Sequence, residues 1–338
     1  MKPLNLSSRK WFYPLIYFLL IIISFLPVVT QVPLDPRNTQ DVIQNILMVA
    51  INPYQAWGWI FHVATLGLVL LIAFKPNIAG RVLALYMGIN YLVIGALQTS
   101  AFTKKYGFAL QTGLLVACVL LSLIWLVVAY QDRLKASFKD VPAWRYLLGF
   151  LALLVFWSPF RAEGMVILPD FSPLKLLTDA GYGMTYCFTT PVFLFLLILF
   201  YANVDGFAFR VTAFNGLLYG IFNLIWWFNP ATRWMGVLHL PLLLLSILAL
   251  LLPVFQRKAQ KAEPIPVETS QRPSDKLLPL LVIAILLLEL AMLGGWFAYR
   301  IRVGSSPYQV MAVPPSNASF ELVINSNPPP GDFTQIVN

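Results

Sequence analysis

Residues 57–74 read WGWIFHVATLGLVLLIAF, and residues 182–200 read YGMTYCFTTPVFLFLLILF. Each run is close to the roughly 20 apolar residues a helix needs to cross a hydrocarbon core about 30 Å thick. Laid over each other with Gly58 on Gly183, they also bring Thr65 onto Thr190. The likeness continues downstream. Arg81-Val82 falls on Arg210-Val211 after a short gap, Gly88 and Tyr91 fall on Gly216 and Tyr219, and Leu110, Leu114 and Leu115 fall on Leu238, Leu242 and Leu243. A membrane segment that recurs together with its neighbours is the mark of an internal repeat.

Working outward from these two runs, nine apolar stretches emerge: 11–31, 57–74, 82–102, 108–130, 145–160, 183–201, 211–228, 234–256 and 277–299. The composition agrees. Of 338 residues 59% are hydrophobic and only 11% charged, with a mean hydropathy of +0.75. A soluble domain carries about 25% charged residues, so water-soluble and disordered readings are excluded. Two cysteines and two histidines are too few for a disulfide scaffold or a cysteine- and histidine-rich metalloenzyme. Lipid offers no partner to an unpaired backbone amide, and the alternating ten-residue segments of a membrane β-barrel are absent. The expected fold class is therefore all-α: a polytopic integral membrane protein of about nine transmembrane helices.

Placing the N-terminus in the cytoplasm sorts the 23 Lys and Arg residues about 15 inside to 8 outside, as the positive-inside rule requires. The C-terminus then lies outside the cell membrane. Trp57, Trp59, Trp157, Trp226, Trp227, Trp234 and Trp296 fall near the outer boundary, and Trp11 and Trp144 near the inner one, as headgroup-level aromatic belts do. The net charge of +9 is spread over short loops rather than gathered on one face, so no nucleic-acid partner is expected. The first apolar run exceeds a signal-peptide core and lacks a small-x-small cleavage site, which reads as an uncleaved helix.

Because the period is four helices, both halves enter the membrane in the same direction, giving a parallel repeat about an axis along the membrane normal. The expected organisation is a first four-helix repeat over 1–130, a second over 131–256, a polar cytoplasmic linker over 257–276, and a ninth helix with a short outer tail over 277–338. Residues 40–51 read as an amphipathic helix lying along the outer surface.

Thirteen of the fourteen acidic residues fall in loops. Glu289, in AILLLELAMLGG, lies mid-helix and is the candidate intramembrane acid, since a charge at the bilayer centre costs roughly 2.5–3.5 kcal/mol on insertion scales. His62 follows Trp57 by five residues and His239 follows Trp234 by five, which puts both at equal depth below the outer boundary. Equal depth suits a shared ligand, because imidazole binds haem iron and hydrogen-bonds quinones. In the repeat alignment His62 falls on Cys187 and Gln111 on His239, so Gln111 and Cys187 are repeat-equivalent neighbours of the histidines. No metal motif, nucleotide fingerprint or nucleophile elbow is present, and no catalytic residue is assigned.

In layout alone, helices 2–4 and 6–8 resemble those of the haem A synthases, whose two four-helix halves carry ligand histidines on helices 2, 4, 6 and 8. That resemblance implies haem as a cofactor. This chain keeps two of the four histidines, has no acid one turn before His62 and has no cysteine pair in an outer loop, so the likeness is an analogy of layout. The expected function is a non-enzymatic carrier or membrane-complex subunit that handles a small or lipid-like molecule, with the lipid bilayer and other membrane subunits as partners. One alternative is a haem- or quinone-binding redox subunit using His62 and His239. Another is a membrane-embedded enzyme acting on lipid or isoprenoid, with Asp41, Glu163, Asp170 or Asp179 at the outer surface.

Overall fold

A computed structural model describes residues 9–163, 166–228, 230 and 233–260. Glu289, the linker and the ninth helix lie outside the described residues. The described chain is mostly helical and has five helices long and apolar enough to cross a membrane, or six if one sharply bent pair counts as a single span.

The chain opens with α1 (Phe12–Ser24). Phe12, Ile16, Leu19, Leu20 and Ile23 recur at three- and four-residue intervals and are buried, while Leu15 and Phe18 face outward. The helix stops just before Leu26-Pro27, where proline disfavours helical geometry in the residue ahead of it. The expected span 11–31 is therefore shorter, and Val28–Thr30 forms strand β1 instead. Next comes α2 (Thr39–Ile51), where an outer amphipathic helix was expected over 40–51. Then α3 (Gly58–Phe74) and α4 (Pro76–Gln98) meet at Lys75-Pro76, with the proline in the first turn of α4, where its missing N–H costs nothing.

Strands β2 (Ser100–Thr103) and β3 (Gly107–Gln111) form a hairpin that β1 joins, in the order β1-β3-β2. Both pairings are antiparallel, with Thr30 opposite Ala109 and Ala101 opposite Ala109 on the other side. The apolar runs 82–102 and 108–130 thus give up their adjoining ends to a small sheet. Val28, Ala101, Tyr106 and Ala109 of this sheet pack on Val42, Ile46 and Ala50 of α2. Irregular backbone and sheet edges find water at headgroup level, which the hydrocarbon region cannot supply.

Helix α5 (Thr112–Tyr130) runs back beside α4. After α5 come the short helices α6 (Ala143–Leu147) and α7 (Gly149–Trp157), hairpin β4 (Phe160–Glu163) and β5 (Val166–Pro169), and one-turn helices α8 (Lys175–Thr178) and α9 (Gly181–Met184). Three longer helices follow, α10 (Tyr186–Leu199), α11 (Gly206–Phe222) and α12 (Arg233–Gln260). The expected continuous span 183–201 is broken: the segment Lys175–Met184 and α10 meet at about 100°. The turn uses Tyr182 in extended geometry and Gly183 at φ +88°, a backbone state that side chains other than glycine rarely adopt.

Side chains satisfy the backbone groups that the break frees. Gly183 N–H donates to Thr189 Oγ1 at 2.8 Å, Asn90 Nδ2 donates to the Gly183 carbonyl at 2.9 Å, and Tyr186 N–H donates to Gln98 Oε1 at 2.8 Å. Two of these three donors and acceptors come from α4, so the first half of the chain completes the second. Trp125 Nε1, which donates to Thr212 Oγ1 at 3.0 Å, adds a buried bond between α5 and α11. At the opposite end of the bundle Asp205 caps α11 through Phe207 N–H and Ala208 N–H, and Arg133 reaches it at 3.1 Å. Arg145 donates to the carbonyls of Ile198 and Leu199, placing a cation at the negative end of α10.

Large apolar side chains cover the outside of the bundle. Val63, Leu66, Leu70 and Phe74 on α3, Leu85, Ile89 and Leu92 on α4, and Leu244, Leu251 and Phe255 on α12 are all exposed. An apolar surface of this extent on several helices is what lipid contact requires and what water disfavours.

Candidate functional site

A cavity of about 700 Å³ lies where the C-terminal ends of α1, α4 and α11 meet the N-terminal ends of α5, α10 and α12. Its size falls within the roughly 300–1,000 Å³ typical of small-molecule sites. Helix α2 walls one side: Val42, Ile46 and Ala50 bind the sheet, whereas Ile43, Leu47 and Ile51 line the cavity. The opposite wall is Phe188, Trp226, Met235 and His239, with Phe160 and Ile167 from the second hairpin. One flank is open. Phe25 lines the cavity yet is 69% exposed, its ring lies 5.3 Å from that of Phe222, and nearby Ile225 is exposed too.

Two polar side chains in the wall are held in fixed orientations. Gln98 turns its Oε1 to the Tyr186 N–H, so its Nε2 carries the remaining donors. His239 Nδ1 lies 2.7 Å from the Met235 carbonyl. A carbonyl can only accept, so the neutral ring holds its proton on Nδ1 and presents Nε2 as an acceptor. The ring is stacked on Trp226 (5.9 Å, 16°) and edge-on to Phe188 (5.5 Å). Asn223 Nδ2 donates to Cys187 Sγ at 3.0 Å, and both residues line the cavity, as does Gln111.

The charged groups at the mouth are mostly engaged with one another. Lys175 Nζ lies 2.6 Å from Asp179 Oδ2 and 3.9 Å from Asp170 Oδ2, and it also donates to the Phe160 carbonyl. Asp179 in turn accepts from Gly181 N–H. Arg161 lies exposed at the rim.

Of the residues singled out from the sequence, the structure brings His239, Gln111 and Cys187 to this one cavity. His62 is not among the residues that line it. It is buried against Phe156 and Tyr182, and its Nε2 donates to the Asp179 carbonyl at 2.9 Å. The two histidines thus have different partners. The alignment of Gln111 with His239 joins unlike elements, because Gln111 ends strand β3 while His239 lies within α12. Among the described residues no three His, Cys, Asp or Glu side chains are grouped as metal ligands. Both cysteines are free thiols, Cys118 buried and Cys187 partly so.

The acids named from the sequence have different partners. Asp41 accepts from Lys105 Nζ at 2.7 Å and from the Tyr106 hydroxyl, Asp170 and Asp179 share Lys175, and Glu163 falls on β4. Lys105, with Tyr106 after it, holds the Asp41 carboxyl below its ordinary value, and the same bond pushes the Tyr106 hydroxyl up.

Residue-by-residue reading of the sequence missed Gln98 and the pairing of Asp179 with Lys175, and it read Trp226 as a boundary tryptophan and not as a wall of the cavity. Gln98 carries the clearest signal, as the single polar amide closing the apolar run LVIGAL. Its worth shows only once the broken helix needs an acceptor. The arrangement as a whole can bind: it has apolar walls, uncharged polar groups of fixed direction and an open apolar flank. No family model, no curated protein and no solved structure matches the chain.

Proposed function

We propose that this chain is a non-enzymatic integral membrane protein that binds one lipid-like amphiphile in the cavity at the outer ends of its helices. It serves as a carrier or as the lipid-handling subunit of a membrane complex. The observation that carries the reading is the composition of the cavity. Phe25, Leu47, Phe222 and Ile225 supply an apolar flank that is continuous with the exposed outer surface, while Gln98 and His239 supply uncharged polar ends. An amphiphile can keep its chains among the apolar residues and bring its head to the polar ones, so neither part is left unsatisfied.

In this reading the chain spans the membrane nine times. The first eight spans form two parallel quartets. Supporting this, each half runs from a short apolar helix through outer elements to three longer helices. Gly88 and Gly216 also occupy like places, each on the middle helix of its three and close to the next, against Leu126 and Ser246. The N-terminus is cytoplasmic and the C-terminus outside, which puts the cavity in the outer leaflet.

The test is lipid retention. Leu47→Trp fills the cavity from α2, whereas Val49→Trp places the same bulk on the exposed side of that helix. Mass spectrometry of organic extracts should find about one equivalent of amphiphile in the wild type and in Val49→Trp, and far less in Leu47→Trp. Equal retention in both variants would remove the cavity as the binding site.

A further inference from the structure

Resting on that reading, we propose that the cavity selects an uncharged head that carries a free hydroxyl and an ester or amide carbonyl, as in a diacylglycerol-type lipid. The argument comes from which polar atoms remain after the protein has satisfied itself. Among the described residues, neither Gln98 Nε2 nor His239 Nε2 has a hydrogen-bond partner, because each side chain is tied down at its other polar atom. Gln98 cannot turn over without setting its NH₂ against the Tyr186 N–H. His239 cannot move its proton to Nε2 without setting a lone pair against the Met235 carbonyl. These two side chains therefore give the wall one fixed donor and one fixed acceptor, both neutral, beside the unpartnered hydroxyls of Tyr186 and Tyr219, which also line the cavity and can donate or accept.

The donor calls for a carbonyl or ester oxygen on the ligand, and the acceptor calls for an O–H. A phosphate head satisfies neither the charge balance nor the acceptor. It would turn oxygens toward the His239 lone pair, and the half-buried Lys175 of the lining is already held by Asp179, Asp170 and the Phe160 carbonyl. An anion would thus have its counter-charge at the exposed rim, on Arg161, and not beside the buried polar wall, which is costly. A hydroxyl meets His239 Nε2 at no such cost. A buried hydrogen-bonding group left unpaired by the wrong ligand is also the strongest source of discrimination available to a site of this kind.

The experiment uses full-length protein, stripped of lipid in detergent and offered three probes in competition: 1,2-dioleoylglycerol, its 3-O-methyl ether, and dioleoylphosphatidate. Retained probe is measured by mass spectrometry. The expected result is retention of the alcohol over the ether by roughly two- to tenfold, the worth of one net hydrogen bond, with phosphatidate retained least. His239→Phe should bring the alcohol-to-ether ratio to about one while the total bound falls little. His239→Gln, which keeps an acceptor, should restore part of the preference and guards against a variant that merely misfolds. Alcohol and ether held equally by the wild type would overturn the hydroxyl selection while leaving amphiphile binding intact. Phosphatidate held best would overturn the neutral head in favour of an anion drawn by Arg161. Retention of no probe would take down the binding reading itself.

Discussion

Gly183 shows how one residue sets the shape of the site. It stands at φ +88°, and a Cβ added there would fall 2.1 Å from Phe61 Cγ. Its N–H and carbonyl are both taken by side chains, Thr189 and Asn90. Gly183→Ala therefore adds backbone strain and a clash together. The expected loss is about 1–3 kcal/mol, the usual cost of a sparsely populated backbone state in a non-glycine residue, read as a lower melting temperature in detergent. By contrast Gly67, which has open space around its Cβ position, should accept alanine without loss and, being helical, with slight gain. The sequence alignment had set Gly183 against Gly58, yet the two glycines do different work. Gly58 starts α3 against the Asp179 backbone with ordinary helical dihedrals, whereas Gly183 turns the chain. Identity at a position was legible, but the backbone state that made it necessary was not.

At the scale of elements, α2 is held over the cavity by its buried face on the sheet and by the polar cluster of Asp41, Lys105 and Tyr106. The cluster titrates in a known direction. Hydrogen bonding to Lys105 and Tyr106 lowers the Asp41 pKa from 3.8. A lowered carboxyl contributes stability that is fully present above its unfolded value and is lost as pH falls through the folded value. The wild-type melting temperature should thus be insensitive to this group between about pH 5 and 7 and decline below about pH 4. Asp41→Asn should start slightly lower at neutral pH and lack that component of the acid decline. The difference should be small, because Asp41 and Lys105 are largely exposed and water screens exposed pairs. A melting series from pH 3 to 7 on both proteins checks this, and parallel curves would show that the cluster does not stabilise α2.

For the whole molecule, orientation is the property on which the site's location rests. Lys105 lies in the hairpin at the cavity end, and Lys135 in the connection at the opposite end that Asn203 also reaches. In a background where Cys118 and Cys187 are replaced by serine, Lys105→Cys should react with a membrane-impermeant maleimide added to intact cells. Lys135→Cys should react only after permeabilisation. The reverse pattern would place the cavity on the cytoplasmic side and undo the outer-leaflet assignment.

The sequence by itself determined that several helices would be long and apolar enough to cross a membrane, since few charges interrupt runs of spanning length. It also marked a helix over 40–51 through Val42, Ile43, Ile46, Leu47 and Val49–Ile51, and it picked out His239, Gln111 and Cys187, which line one cavity. Only the tertiary structure decided that His62 turns to the Asp179 carbonyl, that Gln98 faces the cavity, and that the adjoining ends of two apolar runs become a sheet rather than helix. The reason is physical. Hydrophobic periodicity records what each segment must hide, and it is local. Which way a buried amide or imidazole points depends on the backbone group that the opposing element leaves unpaired, and that group appears only when elements distant in sequence come together.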